Sequence, residues 1–452
     1  MRKVLIVAYH FPPAPEVGGI RAAKFAKYLP EFGWKPYVLT ISEDYVTAPD
    51  RERMKDVSAV TIVRTSVLPT LPELALRLKN WALAPFRPDP RLEDKAKNPV
   101  RDTSSIPQRT IPRALAALRR YFFSLFELPD QQIGWLLPAI YIGYRLIRRE
   151  GIEAILTTSP PTSSALVGLI LSKLTSARLI TDLRDPLILH DRKPKEVRSR
   201  LSDAIERRLE RLLLLNSHRI ISTTEHYTAF LRSRYPHLPP QRVHSIPNGF
   251  DSADFPSPPK AQPADGRFVL SYLGTFYYGR TPEHFLRALG ELFKDNCIPR
   301  NEVQVHFVGH VRHAEGVSVQ ELLSRTDLNG CVRITDAVPY PQSIRFMQES
   351  DVLLLFAPAQ YFSIPGKAYE YFGARKPILC FGDSGATADL IRKVGGGIVV
   401  NAFNIPEIKD AITYLYSLWR FNRTLPYRLN PIVFERRALT RQLADLLSTR
   451  AA

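Results

Sequence analysis

Ser363-Ile364-Pro365-Gly366-Lys367-Ala368-Tyr369-Glu370-Tyr371 combines a helix start, a cation and a carboxylate in one short stretch. Pro365 and Gly366 open the helix, and its first amides, lacking intrahelical acceptors, can hold a negative oxygen. Lys367, Glu370 and Tyr371 fall on one side of the first turns, because residues three and four apart are neighbours on a helix. A carboxylate there accepts hydrogen bonds from both vicinal hydroxyls of a ribose, while the lysine and the amides neutralise adjoining phosphates. The same spacing also suits an ordinary surface ion pair between Lys367 and Glu370.

Two further groupings lie in the first half of the chain. Gly18 and Gly19 precede a helix, so backbone can approach a ligand closely, and Arg21 adds a cation beside them. Asp182-Leu183-Arg184-Asp185-Pro186 ends a strand; Asp185 is the best-placed carboxylate to orient a hydroxyl, and pairing of Asp182 and Asp185 with Arg184 is the alternative. His10 and His190 are weaker candidates. No Gly-x-Gly-x-x-Gly follows the first strand, which disfavours a dinucleotide oxidoreductase.

These groups need a scaffold that brings strand ends together. Val4–Ala8 reads as a buried strand, followed by a helix from about Ile20 to Phe32 and a strand over Lys35–Ile41. The alternation returns at Ile152–Thr157, a helix through Leu174, Arg178–Leu183 and Arg219–Thr224. That rhythm predicts an open parallel sheet with crossover helices. A turn at Ile246-Pro247-Asn248-Gly249 and a Pro/Ser/Asp-rich run to Asp265 mark a linker. Strands then restart at Phe268–Tyr272, Val303–Val308, Val332–Ile334, Val352–Phe356 and Ile378–Phe381.

The expected fold class is therefore α/β, with two doubly wound Rossmann-like domains, 1–245 and 246–430, and a helix over 431–452 able to pack back on the first domain. Prolines 69, 72, 85, 88, 90, 99, 107 and 112 break the pattern over about 68–129, an expected insertion. Within it, Arg113–Phe126 has the composition of a basic amphipathic helix, suited to a membrane surface or to packing on its own domain. Open parallel sheets bind ligands beyond the carboxyl ends of their strands, so the loops after Ala8, Thr157, Leu183, Gly274 and Phe356 become candidate ligand loops.

With 452 residues, 45% of them hydrophobic, the chain can bury two cores. Cys297, Cys331 and Cys380 are too few and too scattered for a zinc site or a disulfide framework, which suits a reducing cytoplasm. The apolar run Val4–Ala8 is too short for a signal peptide, and no stretch approaches the ~18 residues of a membrane span. Net charge is +18, and residues 1–250, with 39 basic against 24 acidic side chains, hold most of it. Such an excess attracts phosphate-rich partners. No helix-turn-helix, zinc or stacking module accompanies it, so an anionic membrane surface is expected rather than nucleic acid.

Tyr9-His10-Phe11-Pro12-Pro13 with Gly18, Gly19 and Arg21, then Asp182–Pro186, Ile246–Asp251 and the Pro365–Glu370 helix start, resemble glycosyltransferase family 4 in order and spacing over nearly the whole chain. The resemblance implies a GT-B fold, a UDP- or GDP-type nucleotide-sugar donor on the carboxy-terminal domain, retention of anomeric configuration, no metal and no separate cofactor. Glu370 matches the glutamate that holds the donor ribose. It further implies donor contacts at Gly274, Thr275, Arg280, Ser363, Ile364, Gly366 and Lys367. Acceptor contacts would come from His10, Gly18, Gly19, Arg21, Asp182 and Asp185, with Asp185, Arg280 and Lys367 catalytic. Three positions depart from the family pattern: Phe362 stands where many members carry a first glutamate, and Thr275 and Gly279 where many carry an arginine and a lysine. Arg280 and Lys367 are the expected substitutes, as in the branch with a Pro-Ser-Lys type of helix start. The implied acceptor is a polysaccharide or lipid-linked glycan met at the inner face of the cytoplasmic membrane. An epimerase-like activity or an inactive nucleotide-sugar-binding module are the alternatives.

Overall fold

The computed structural model describes residues 1–71, 73–74, 128–187, 200–255, 266–277, 279–328, 330–358 and 360–449. The helix expected over Arg113–Phe126, most of the 68–129 insertion, and His190 lie outside these residues.

Seven parallel strands form the first sheet, in the order β3-β2-β1-β4-β5-β6-β7. They are β1 (Arg2–Val7), β2 (Trp34–Ile41), β3 (Thr61–Thr65), β4 (Ala154–Ser159), β5 (Arg178–Leu183), β6 (Arg219–Ser222) and β7 (Val243–Ser245). Both faces are covered, which is why Val4–Val7 of β1 is a continuous apolar run rather than alternating. Val4 and Ile6 point to one side, with Ala22, Phe25, Leu439 and Leu443. Leu5 and Val7 point to the other, with Trp135, Ala139 and Leu171. The covering helices are α1 (Gly18–Tyr28), α2 (Leu136–Glu150), α3 (Thr162–Thr175), α4 (Arg200–Asn216) and α5 (Glu225–Arg234).

A second, six-stranded parallel sheet has the order β12-β9-β8-β13-β14-β15. Its strands are β8 (Phe268–Thr275), β9 (Val303–His310), β12 (Val332–Thr335), β13 (Val352–Phe356), β14 (Ile378–Phe381) and β15 (Gly397–Val400). A small antiparallel hairpin, β10 (His313–Ala314) and β11 (Val317–Ser318), stands apart from it. Helices α6 (Glu283–Lys294), α7 (Val319–Arg325), α8 (Tyr340–Glu349), α9 (Gly366–Ala374), α10 (Ala386–Val394) and α11 (Ile405–Arg420) complete the second lobe. On one face Phe268, Leu270 and Phe307 meet Leu286, Leu289 and Ile412. On the other, Leu273, Leu353 and Leu355 meet Ile344, Met347, Ala368 and Phe372.

The strands β3, β7 and β15 were not expected from sequence. Each is an edge strand or next to one, and at three to five residues it is too short to show a period.

The last helix, α12 (Arg436–Ser448), belongs spatially to the first lobe. Leu439, Leu443 and Leu447, spaced by four, are fully buried against Val4, Ile6 and Trp34. Arg437 pairs with Glu31, and the Trp34 indole donates to Ser448 Oγ at 3.3 Å. The chain reaches this position by running beside the interlobe linker: Phe250 N donates to Phe434 O at 3.1 Å, and Arg436 N to Phe250 O at 2.7 Å. Gly249 is required for that approach, since a Cβ there would stand 2.0 Å from Phe434 O.

If α12 fastens the second lobe's trailing chain to the first, Leu443→Ala should destabilise by about 2–4 kcal/mol through transfer and cavity terms. Thermal unfolding should then show a fall of roughly 5–10 °C; a change below about 1 °C would contradict this packing.

Candidate active site

Between the lobes lies a cavity of about 290 Å³, walled by the first turn of α1, Arg184 and Asp185 after β5, and the linker Asn248–Asp251. Opposite stand Tyr277 and Arg280 after β8, Tyr340, and the run Ser363–Gly366 with Glu370. Every wall segment except the linker is a strand end or lies at a helix start.

The α9 start is built as the sequence suggests, with one difference. Gly366 and Glu370 line the cavity, and a Cβ on Gly366 would meet nothing within 4 Å, so this backbone faces open space. Lys367 lies off the lining. Its Nζ donates to Glu370 Oε2 at 2.6 Å and to Ser343 Oγ at 3.2 Å, beside the Tyr340 ring. The i,i+3 spacing sets the ammonium against Glu370 on the helix flank. Tyr371 turns the other way, fully buried, its Oη accepting from Leu273 N at 3.1 Å.

Arg280 borders the cavity, its guanidinium stacked 4.5 Å over the Tyr277 ring and its Nε buried without a hydrogen-bond partner. Gly274 and Thr275 do not reach the lining. Gly274 backs onto Gly309, where a Cβ would lie 2.1 Å from Gly274 O, and Thr275 O accepts from the Tyr272 hydroxyl at 2.9 Å. Ser363 and Ile364 do line it, with Ser363 Oγ donating to Gln360 Oε1 at 2.8 Å. Phe362, at the position of the missing glutamate, points to the first lobe and packs against Phe230 and Tyr227. Its carbonyl accepts from Thr224 Oγ1 at 2.7 Å, an interlobe contact.

On the first-lobe side, Arg21 lines the cavity and pairs with Asp182 behind it. Arg21 is 2% exposed and Asp182 1%. Arg21 Nε and Nη2 donate to the Asp182 carboxylate, each at 2.9 Å, and the guanidinium also donates to Pro247 O at 2.7 Å and Ile246 O at 2.8 Å. A guanidinium has five N–H groups, and four are used inside the protein. Gly18 lines the cavity and its carbonyl accepts from Arg184 Nη1 at 2.9 Å, while a Cβ on Gly19 would stand 3.0 Å from His10 O. Asp185 lines the cavity. His10 lies outside it, in an adjoining hollow of about 370 Å³ that shares Gly18 and Arg184 with the first. Burial lowers the His10 pKa despite Glu16 Oε2 3.6 Å from its Nδ1, which favours the neutral imidazole.

Lys24, Lys27, Asp251 and Asp254 form a cluster that sequence reasoning missed. Asp56, Asp251 and Asp254 converge as a metal site would, but Lys24 Nζ lies 2.7 Å from Asp56 and from Asp251 and 3.1 Å from Asp254. Lys27 Nζ is 2.9 Å from Asp251. Two ammonium groups thus offset most of the charge of these three carboxylates. Asp251 stood in the Ile246–Asp251 stretch as the end of a turn; nothing local signalled a partner more than 220 positions away.

The comparisons agree with this architecture. Residues 18–249 match the glycosyl transferase 4-like domain, and residues 267–417 match the glycosyl transferases group 1. The chain belongs to the glycosyltransferase 4-like family. A search of curated proteins gives no sequence match. Among solved structures, a glycosyltransferase from Rickettsia africae superposes with a TM-score of 0.61 at 12% identity, covering 99% of this chain and 97% of that one. HepE of Anabaena, solved with UDP and glucose, gives 0.58 at 15% identity, covering 99% and 100%. WaaG, a glycosyltransferase involved in lipopolysaccharide biosynthesis, gives 0.52 at 11% identity, again covering 99% and 100%. These likenesses establish the GT-B fold of two facing Rossmann-like lobes.

In this glycosyltransferase the Asp251 cluster fixes the linker to α1. Burial alone would raise the Asp251 carboxyl, but Lys24, Lys27 and the Tyr28 hydroxyl overcome it and hold the group well below the usual range. Its stabilisation is therefore complete above an unfolded value of about 3.9 and is lost as pH falls below it. Asp254, raised by burial, contributes in the opposite sense. Asp251→Asn should cost about 3 kcal/mol at neutral pH and make unfolding stability fall less steeply between pH 5 and pH 3 than in the parent. Equal steepness in urea titrations at those pH values would exclude Asp251 as the source.

Proposed function

We propose that the cleft binds a nucleotide-diphosphate sugar and transfers its sugar, with retention and without a catalytic metal, to a polysaccharide or lipid-linked glycan at the cytoplasmic membrane face. The observation that carries this reading is Glu370, held at a cavity wall one turn beyond the open amides of α9. A carboxylate fixed there by Lys367 suits two ribose hydroxyls, and the adjoining amides and Arg280 suit the diphosphate. HepE, solved with UDP and glucose, supports a donor of this class.

In the transfer, the bond from the anomeric carbon to the donor phosphate breaks and a bond to the acceptor oxygen forms. The acceptor proton passes to the departing phosphate oxygen, so no protein base is demanded. Charge grows on the diphosphate as the bond opens, and Arg280 with the Gly366 amide stabilises that charge more than the ground state. Asp185, across the cavity, orients the acceptor hydroxyl.

The basic first half and α2, which shows Leu137 and Tyr141 to solvent near Arg145 and Arg148, suit an anionic lipid surface. No helix among the described residues is long and apolar enough to cross a membrane. WaaG's part in lipopolysaccharide biosynthesis supports an envelope acceptor.

Arg280→Ala should lower kcat by roughly 10²–10³ with unchanged thermal stability, and Glu370→Ala should raise the donor KM more than it lowers kcat. Parent-like kinetics with UDP- and GDP-sugars in either variant would remove that residue from the site. Co-sedimentation with anionic against neutral vesicles tests the surface: the anionic vesicles should retain more protein, and equal partitioning counts against an electrostatic membrane role.

A further inference from the structure

Arg436, the first residue of α12, lines the same cavity although it belongs to neither sheet. It is 7% exposed, and its Nη1 is buried with no hydrogen-bond partner. The titratable groups that influence it most are Arg21, Tyr340, Glu370 and Tyr369. None of these is available as a counterion. Glu370 is held by Lys367 at 2.6 Å, and the Tyr340 hydroxyl donates to Asp254, itself held by Lys24. Arg21 is a second buried cation, already matched by Asp182.

Burying a guanidinium without a matching anion is costly, and proteins otherwise avoid it. Burial depresses its pKa to about 10, which still leaves it charged at neutral pH. The backbone places it deliberately: the linker and the return chain pair at Phe250, and Gly249 lets them approach.

We propose that Arg436 is an oxyanion-binding residue, carried into the cleft by the return helix to take a phosphate or carboxylate group of a bound substrate. This rests on the reading that the cleft holds a nucleotide sugar. The oxyanion has two sources, the donor diphosphate or an acidic group on the sugar or acceptor, and Arg436 binds either by the same forked hydrogen bonds.

The test uses the full chain with Arg436→Met, Arg436→Gln and Arg436→Lys, titrated with UDP, inorganic pyrophosphate, glucuronate and, as a neutral control, uridine. Without ligand, the Met and Gln variants should melt at or above the parent temperature, because an unmatched charge has been removed. At least one anion should bind about tenfold more weakly or worse to both variants, with uridine unaffected and the Lys variant intermediate. Loss for UDP and pyrophosphate assigns the donor diphosphate; loss for glucuronate with UDP intact assigns an acidic sugar or acceptor group. Unchanged affinity for every anion, no anion binding by the parent, or a lowered ligand-free melting temperature in both Met and Gln variants overturns the proposal. If the parent binds no UDP but binds pyrophosphate or glucuronate through Arg436, the nucleotide-sugar reading fails while this one stands.

Discussion

Arg21 sits almost wholly out of water, gripping Asp182 at the end of β5 with one edge of its guanidinium and the carbonyls of Ile246 and Pro247 with other N–H groups. The interaction joins three parts of the chain that together span more than 220 positions: the first turn of α1, the centre of the first sheet, and the linker leaving that lobe. A buried arginine is tolerable only when its donors are matched, and removing either partner would leave a charge stranded in low dielectric. The matching therefore fixes where the linker starts. One turn along α1, Lys24 and Lys27 repeat the device on Asp251.

With the linker pinned at both points, its Gly249–Phe250 segment becomes a template for the returning chain at Phe434–Arg436. That pairing closes the molecule. It lays α12 on the first lobe while α9 opens toward the cavity from the second, so the cleft floor is made by segments from both ends of the sequence. The electrostatic result is uneven. Acidic side chains at the floor are largely held by lysines, whereas Arg280 and Arg436 each keep a buried N–H without a partner. Such a cavity favours a ligand bearing several negative oxygens.

Much of the fold was legible in the sequence because most central strands carry a short apolar run and alternate with helical segments. Arg178–Leu183, Val352–Phe356 and Ile378–Phe381 appear with the ends expected. The short outer strands were not legible, since their position comes from a neighbour's edge rather than from their own pattern. Within the site, Pro365, Gly366 and Glu370 were readable as a local helix start. The pairings of Arg21 with Asp182 and of Lys367 with Glu370 show that the side chains a charge meets are decided by tertiary partners, which residue type alone does not reveal. Arg436 carried no local signal at all, because only the return path of the chain brings it to the cleft.

We propose that donor recognition is divided between the α9 start and the Tyr277–Arg280 turn, across from the pinned linker. Amide hydrogen exchange with and without UDP or GDP tests it most directly, because it reports where a bound nucleotide slows opening. Slowed exchange is expected over 363–371 and 277–280, with no comparable change at the far edges of either sheet. Protection confined to the first lobe, or none with either nucleotide, would contradict it.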